Sequence, residues 1–98
     1  MTTSNDLIQN LKQPLPSSAK KRAYEIETLL LSKSDFNSIR GVKIAFCPEL
    51  VRFKLNRSFR YIWRINRTQR EPLSIIHKNV FNREIRRLAL VFQSKNKA

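Results

Sequence analysis

Between Val42 and Lys78 the apolar residues recur at every second position, and many are β-branched or aromatic. This period predicts strands over 42–46, 50–56, 59–65 and 73–78, separated by Cys47-Pro48-Glu49, by Arg57-Ser58 and by residues 66–72. The separators are short enough for hairpins, so the strands should form an antiparallel meander. Ahead of them, Ala19, Ala23, Ile26 and Leu30 are spaced by four, three and four residues. Ser17 and Ser18 are good N-cap types, so this spacing predicts an amphipathic helix to about Lys33. The polar run Ser32-Lys33-Ser34-Asp35 ends it, and Gly41 marks a turn into the sheet. After the strands, Asn79 is the expected N-cap of a final helix with Phe81, Ile85, Leu88 and Phe92 on its apolar stripe. Residues 1–16 are polar and end in Pro14 and Pro16. Leu7, Ile8 and Leu11 support at most two helical turns there, so the segment is expected to be a flexible arm. The fold class is α+β: an N-terminal helix or helices, a three- to four-stranded antiparallel sheet and a C-terminal helix packed on it. One domain should span 1–98, with an α+β unit over 17–93 and a basic tail over 94–98.

The alternation also divides the sheet into two faces. Val51, Phe53 and Leu55 share a face with Phe59, Tyr61, Trp63 and Ile65, and this face should form the core, with Ile85 and Leu88 of the last helix packed into it. Tyr61 and Trp63 are therefore expected in the interior, not on a stacking platform. The opposite face presents Arg52, Lys54 and Asn56 beside Arg60, Ile62 and Arg64, with Lys78 on a further strand and His77 on the other parity. Like charges facing one another across a hairpin are unfavourable, so their clustering points to an anion bound between them.

Composition sharpens this picture. A hydrophobic content of 41% over 98 residues is enough for a core and too much for a chain disordered throughout. The sequence lacks a run of about 20 apolar residues, so no membrane span is expected. The polar start MTTSNDLIQN lacks a signal-peptide pattern, and the lone Cys47 suits a reducing cytoplasm. No metal or cofactor is expected, and no Ser-His-Asp, Cys-His, paired-carboxylate or Gly-rich phosphate motif is present. The formal net charge is +13, distributed unevenly. Residues 1–50 carry 7 basic and 5 acidic groups, whereas residues 51–98 carry 13 basic and 2 acidic groups. Nine of those 13 are arginines between Arg52 and Arg87, a side chain suited to bidentate phosphate contacts. A nucleic acid is the expected partner.

The run from Arg52 to Tyr61 (RFKLNRSFRY), followed by Ile75-Ile76-His77-Lys78-Asn79-Val80-Phe81, resembles the core of the RelE/ParE toxin superfamily. The resemblance covers roughly residues 17–85. It implies a toxin of a toxin–antitoxin pair, acting on messenger RNA, at the ribosome in some relatives, and silenced by an acidic antitoxin protein. It makes Arg52 and Lys54 the basic strand pair, Arg60 the phosphate-binding arginine and Lys78 the stand-in for a later arginine. Cleavage by the RNA 2′-hydroxyl needs a base, an acid and positive charge for the transition state, and no metal. On this reading Lys54, Arg60, Lys78 and His77 are the catalytic candidates, and Arg52, Arg57, Arg64, Phe81 and Arg83 contact RNA. Two departures stand out. Phe81 falls where nuclease members tend to have tyrosine, and a phenyl ring can stack on a base but cannot move a proton. The family's opening strand is not evident in residues 1–16. A non-catalytic protein, either a plain RNA binder or one resembling the topoisomerase-inhibiting ParE toxins, is the alternative expectation.

Overall fold

The computed structural model describes residues 3–11, 14–32, 35 and 38–95, with side chains described as far as Val91. Two helices open it. Helix α1 (Ser4–Gln9) is short but well capped: the Thr3 hydroxyl accepts from the Asp6 backbone N–H, and the Asp6 carboxylate accepts from the Thr3 backbone. Leu7, Ile8 and Leu11 then pack against the core, so this part of the expected arm is a docked helix. Residues 1, 2, 12 and 13 of the arm lie outside the described residues. Ser4 is the anchor. Its hydroxyl is hydrogen-bonded to the Tyr61 hydroxyl and donates to the Ala23 carbonyl at 3.4 Å, while its backbone N–H donates to Glu27 at 2.7 Å. Burial pushes the Tyr61 hydroxyl above its ordinary pKa, against the opposing effect of the Ser4 hydrogen bond.

Helix α2 (Ser17–Leu31) buries the expected stripe of Ala19, Ala23, Ile26 and Leu30. Its cap residue is Pro16, not Ser17 or Ser18: the Pro16 carbonyl takes the Lys20 N–H at 3.0 Å. At the other end, the Arg70 guanidinium donates to the Leu30 carbonyl at 3.1 Å, placing a cation at the negative end of the helix.

Strands β1 (Val42–Ile44), β2 (Cys47–Lys54), β3 (Phe59–Ile65) and β4 (Arg70–His77) form one antiparallel sheet in the order β1-β2-β3-β4. β1, β2 and β4 end earlier than expected, at Ile44, Lys54 and His77, and β2 and β4 start earlier than expected, in each case taking in a proline. Cys47-Pro48-Glu49 belongs to β2, and the turn is Ala45-Phe46. Pro48 is tolerated because the ladder to β3 begins only at Leu50 and the ladder to β1 is irregular at Lys43/Ile44. Pro72 lies inside β4, where the register to β3 shifts between Ile62 and Trp63, so its missing N–H falls at a bulge. The β3–β4 turn is therefore only Asn66–Gln69, held by the Asn66 side chain, which accepts from the Thr68 and Gln69 backbone N–H groups.

A 3₁₀ turn (Lys78–Val80) leads into helix α3 (Phe81–Lys95). His77 caps this 3₁₀ turn, its Nδ1 accepting from the Asn79 N–H at 3.1 Å, and Asn79, the expected cap of the final helix, lies inside the turn. Ser94 and Lys95 continue the helix, and residues 96–98 of the expected tail lie outside the described residues.

Both faces of the sheet are covered. On one, α1 and α2 pack over Val51, Phe53, Leu55, Phe59, Tyr61, Trp63 and Ile75, the face expected to form the core. On the other, Ile85 and Ala89 of α3 pack over Ile44, Cys47, Leu50, Ile62 and Ile76. Ile85 and Leu88 thus belong to a second core and do not join Phe53 and Tyr61. The face expected to be open and basic is instead apolar at its centre, with Leu50 and Ile62 fully buried. The side chain of Phe92, expected in the α3 stripe, lies outside the described side chains. No helix among the described residues is long and apolar enough to cross a membrane.

Candidate nucleic-acid interface

The β2–β3 hairpin concentrates the cations that α3 leaves uncovered. Lys54 is paired directly with Arg60, and Arg52 sits one non-neighbouring position along, opposite Ile62. The turn between the strands is rigid: the Asn56 side chain accepts from the backbone N–H groups of Ser58 and Phe59, both at 2.8 Å, and Leu55 N–H donates to the Phe59 carbonyl at 3.1 Å. Arg60 folds back on that turn, its Nη1 donating to the carbonyls of Asn56 at 2.9 Å and Phe59 at 3.1 Å. These bonds fix the guanidinium and hold it half-buried beside exposed Lys54. Arg57 is exposed at the tip of the turn. Lys78 joins from the 3₁₀ turn, whose backbone N–H donates to the Ser58 carbonyl at 2.7 Å. Lys54, Arg57, Arg60 and Lys78, with Arg52 behind them, therefore ring one end of the sheet. No carboxylate occurs in the sequence from Leu50 to Arg70.

The remaining expected site residues lie elsewhere. Arg64 is at the opposite end of β3, where it is bridged to Glu49 at 3.4 Å and Glu71 at 3.7 Å, so its charge serves the fold. Those two carboxylates flank the acid-free window and reach Arg64 through the ladder. His77 pairs with Phe59 across the β3–β4 ladder and packs edge-to-face on its ring at 5.2 Å. This places it on the parity opposite to Lys54 and Arg60, with Nδ1 committed to capping the 3₁₀ turn. Phe81 is half-buried against the α3-side core. Arg83 is exposed on α3, paired with Glu84 at 3.4 Å.

Two basic residues escaped the sequence reading. Arg22 of α2 and Arg40 of the loop before β1 line a cleft of about 590 Å³ with Leu29, Ser38, Ile39 and Lys54. Arg22 donates to the Ile39 carbonyl at 3.1 Å and pairs with Glu25 at 3.6 Å. Arg40 has a left-handed backbone with φ of 67°, whereas Gly41 does not. The glycine meets a different need. A Cβ on it would lie 2.6 Å from the Phe53 ring and 2.8 Å from Val51. Only the Arg40-Gly41 pair hinted at this arrangement in sequence, and nothing there placed α2 beside the end of β2.

Comparison of the chain with protein-family models, with curated proteins and with solved structures finds no match.

Proposed function

We propose that this chain binds RNA through the phosphate backbone, using the basic end of its sheet. The observation that carries the reading is the Lys54–Arg60 pair, opposed across a rigid hairpin and flanked by Arg57 and Lys78. Same-sign charges at directly paired positions cost stability unless an anion sits between them, and fixed guanidinium groups suit phosphate oxygens. The resemblance to RelE/ParE toxins makes RNA the nucleic acid of choice. It also supports a toxin role with an acidic antitoxin as protein partner.

A second reading, metal-independent cleavage of messenger RNA, rests on the same pair: Lys54 would move the proton and Arg60 would steady the phosphorane-like charge. Against it, the His77 Nδ1 is committed to capping the 3₁₀ turn and Phe81 carries no hydroxyl, which favours binding without cleavage.

Fluorescence anisotropy with labelled single-stranded RNA tests the binding claim. With about four phosphates neutralised, log K should fall by roughly 3 per tenfold rise in salt. Arg57→Ala should reduce that slope by about 0.7. A flat salt dependence would refute the backbone reading. Appearance of 2′,3′-cyclic phosphate ends in the presence of chelator, lost in Lys54→Gln and Arg60→Ala, would establish the nuclease. Intact RNA with and without translating ribosomes would leave the binder.

A further inference from the structure

We infer that the cleft between α2 and the end of β2 is a phosphomonoester subsite, which takes the terminal phosphate of a nucleotide or strand. It rests on the nucleic-acid reading for the identity of the group that carries the phosphate. Three cations meet there from three separate elements: Arg22 from α2, Arg40 from the loop before β1 and Lys54 from the end of β2. Leu29 and Ile39 give the recess apolar walls, against which a charge-assisted hydrogen bond is stronger than on an open face.

The ligand class follows from counting oxygens and charges. An internal phosphodiester carries one negative charge on two non-bridging oxygens, a poor electrostatic match to three cations. A terminal monoester carries three such oxygens and about −1.5 to −2 charge near neutral pH. Within the cleft the Ser38 hydroxyl donates to the Asp35 carbonyl at 2.7 Å, so the donors for the ligand are the cations. Glu25 competes for Arg22. It holds Arg22 at 3.6 Å with half of its own side chain exposed, an anion the ligand displaces or shares. Arg40 is the selective element. Backbone strain at a non-glycine residue is retained where the surroundings hold the residue in place and the side chain has a use, and Arg40 lines the cleft. Lys54 belongs both to this cleft and to the hairpin cations, so a strand bound along the sheet end would run its terminus into the recess.

The experiment uses the full chain in phosphate-free buffer and isothermal titration with adenosine 5′-monophosphate, adenosine and adenosine 3′,5′-cyclic monophosphate. The monoester should bind, the cyclic diester should bind at least several-fold more weakly, and adenosine should not bind. Arg40→Gly should weaken monophosphate binding about tenfold or more, the loss expected for one charge-assisted contact. Lys54→Gln should act in the same direction. Arg67→Ala, which removes the same charge from the exposed β3–β4 turn, should leave the affinity within twofold. Absence of monophosphate binding, equal binding of monoester and diester, or an equal loss in Arg67→Ala would overturn the subsite. A matched pair of RNA oligonucleotides with 5′-phosphate and 5′-hydroxyl ends separates the two claims. If neither oligonucleotide binds while the monophosphate binds through Arg40, the subsite stands and the RNA reading falls. If both bind equally, the RNA reading stands and the subsite falls.

Discussion

Exchanging the demands of two neighbouring residues should reverse the intuition that glycine belongs where the chain turns left-handed. In Gly41→Ala the new methyl would lie 2.6 Å from Phe53 Cε1 and 2.8 Å from Val51 Cγ1, both side chains of the closed α2-side core. Phe53 is 1% exposed and Val51 0%, so neither can swing into solvent. Overpacking of this kind costs about 1–3 kcal/mol. The reduced entropy of the unfolded chain returns about 0.4–1 kcal/mol, leaving a net loss of about 1–2 kcal/mol. At about 4–8 °C per kcal/mol for a chain of this size, Tm should drop by roughly 5–15 °C. Arg40→Gly runs the other way. Relief of the left-handed backbone is worth about 1–2 kcal/mol, against about 0.4–1 kcal/mol of added unfolded-state entropy, so the variant should melt no lower than wild type. Circular-dichroism melts of both variants decide the matter. A Gly41→Ala protein as stable as wild type, or an Arg40→Gly protein that melts well below it, would refute the close-contact account of Gly41 and the strain account of Arg40 respectively.

Arg64→Ala should lower stability by about 1–2 kcal/mol in urea titrations while changing RNA affinity little, because it strands two partly buried carboxylates and removes no hairpin cation. A variant with wild-type stability and weakened RNA binding would return Arg64 to the interface. Tyr61→Phe should cost about 1 kcal/mol at pH 7 by leaving Ser4 with a poorer set of partners. The pH dependence has a definite sign: the folded hydroxyl is raised above the ordinary value of 10.0, so above that pH the unfolded chain loses the proton first and stability falls. Tyr61→Phe should therefore show a shallower decline in stability than wild type between pH 9 and 11 on the same urea titrations, and parallel curves would contradict it.

The strongly periodic elements were legible in the sequence: α2 and its four buried positions, β3 to the residue, and a hairpin that brings Lys54 to Arg60, although its turn takes in Asn56 as well as the expected Arg57-Ser58. The boundaries of β2 and β4 were not, because proline reads as a breaker unless a bulge absorbs its missing N–H, and bulges arise from the pairing of two strands. The open basic face was misread for a related reason. Ile62 and Ile76 share its parity, but two isoleucines among arginines look incidental until α3 is known to cross that face with Ile85 and Ala89. His77 and Phe81, plausible as chemistry by residue type, are taken up by capping and packing at the junction of sheet and helix. Arg22 and Arg40 were missed because their relation to Lys54 depends on how α2 lies against the sheet edge, which no local spacing encodes.

The strict sequential order of the strands also dictates a schedule. Every strand bonds to its neighbour in the chain, so each hairpin closes a short loop, the regime in which folding is fast. During synthesis the sheet can be complete once His77 has emerged, with α1 and α2 already available to cover one face. The other face, carrying Ile44, Leu50, Ile62 and Ile76 beside Arg52, Lys54 and Arg60, must wait for α3. Until then the nascent chain displays an apolar strip edged with arginine and lysine. Docking of α3 withdraws the strip from solvent and leaves the cations outside, so the interface reaches its final form only when that helix packs.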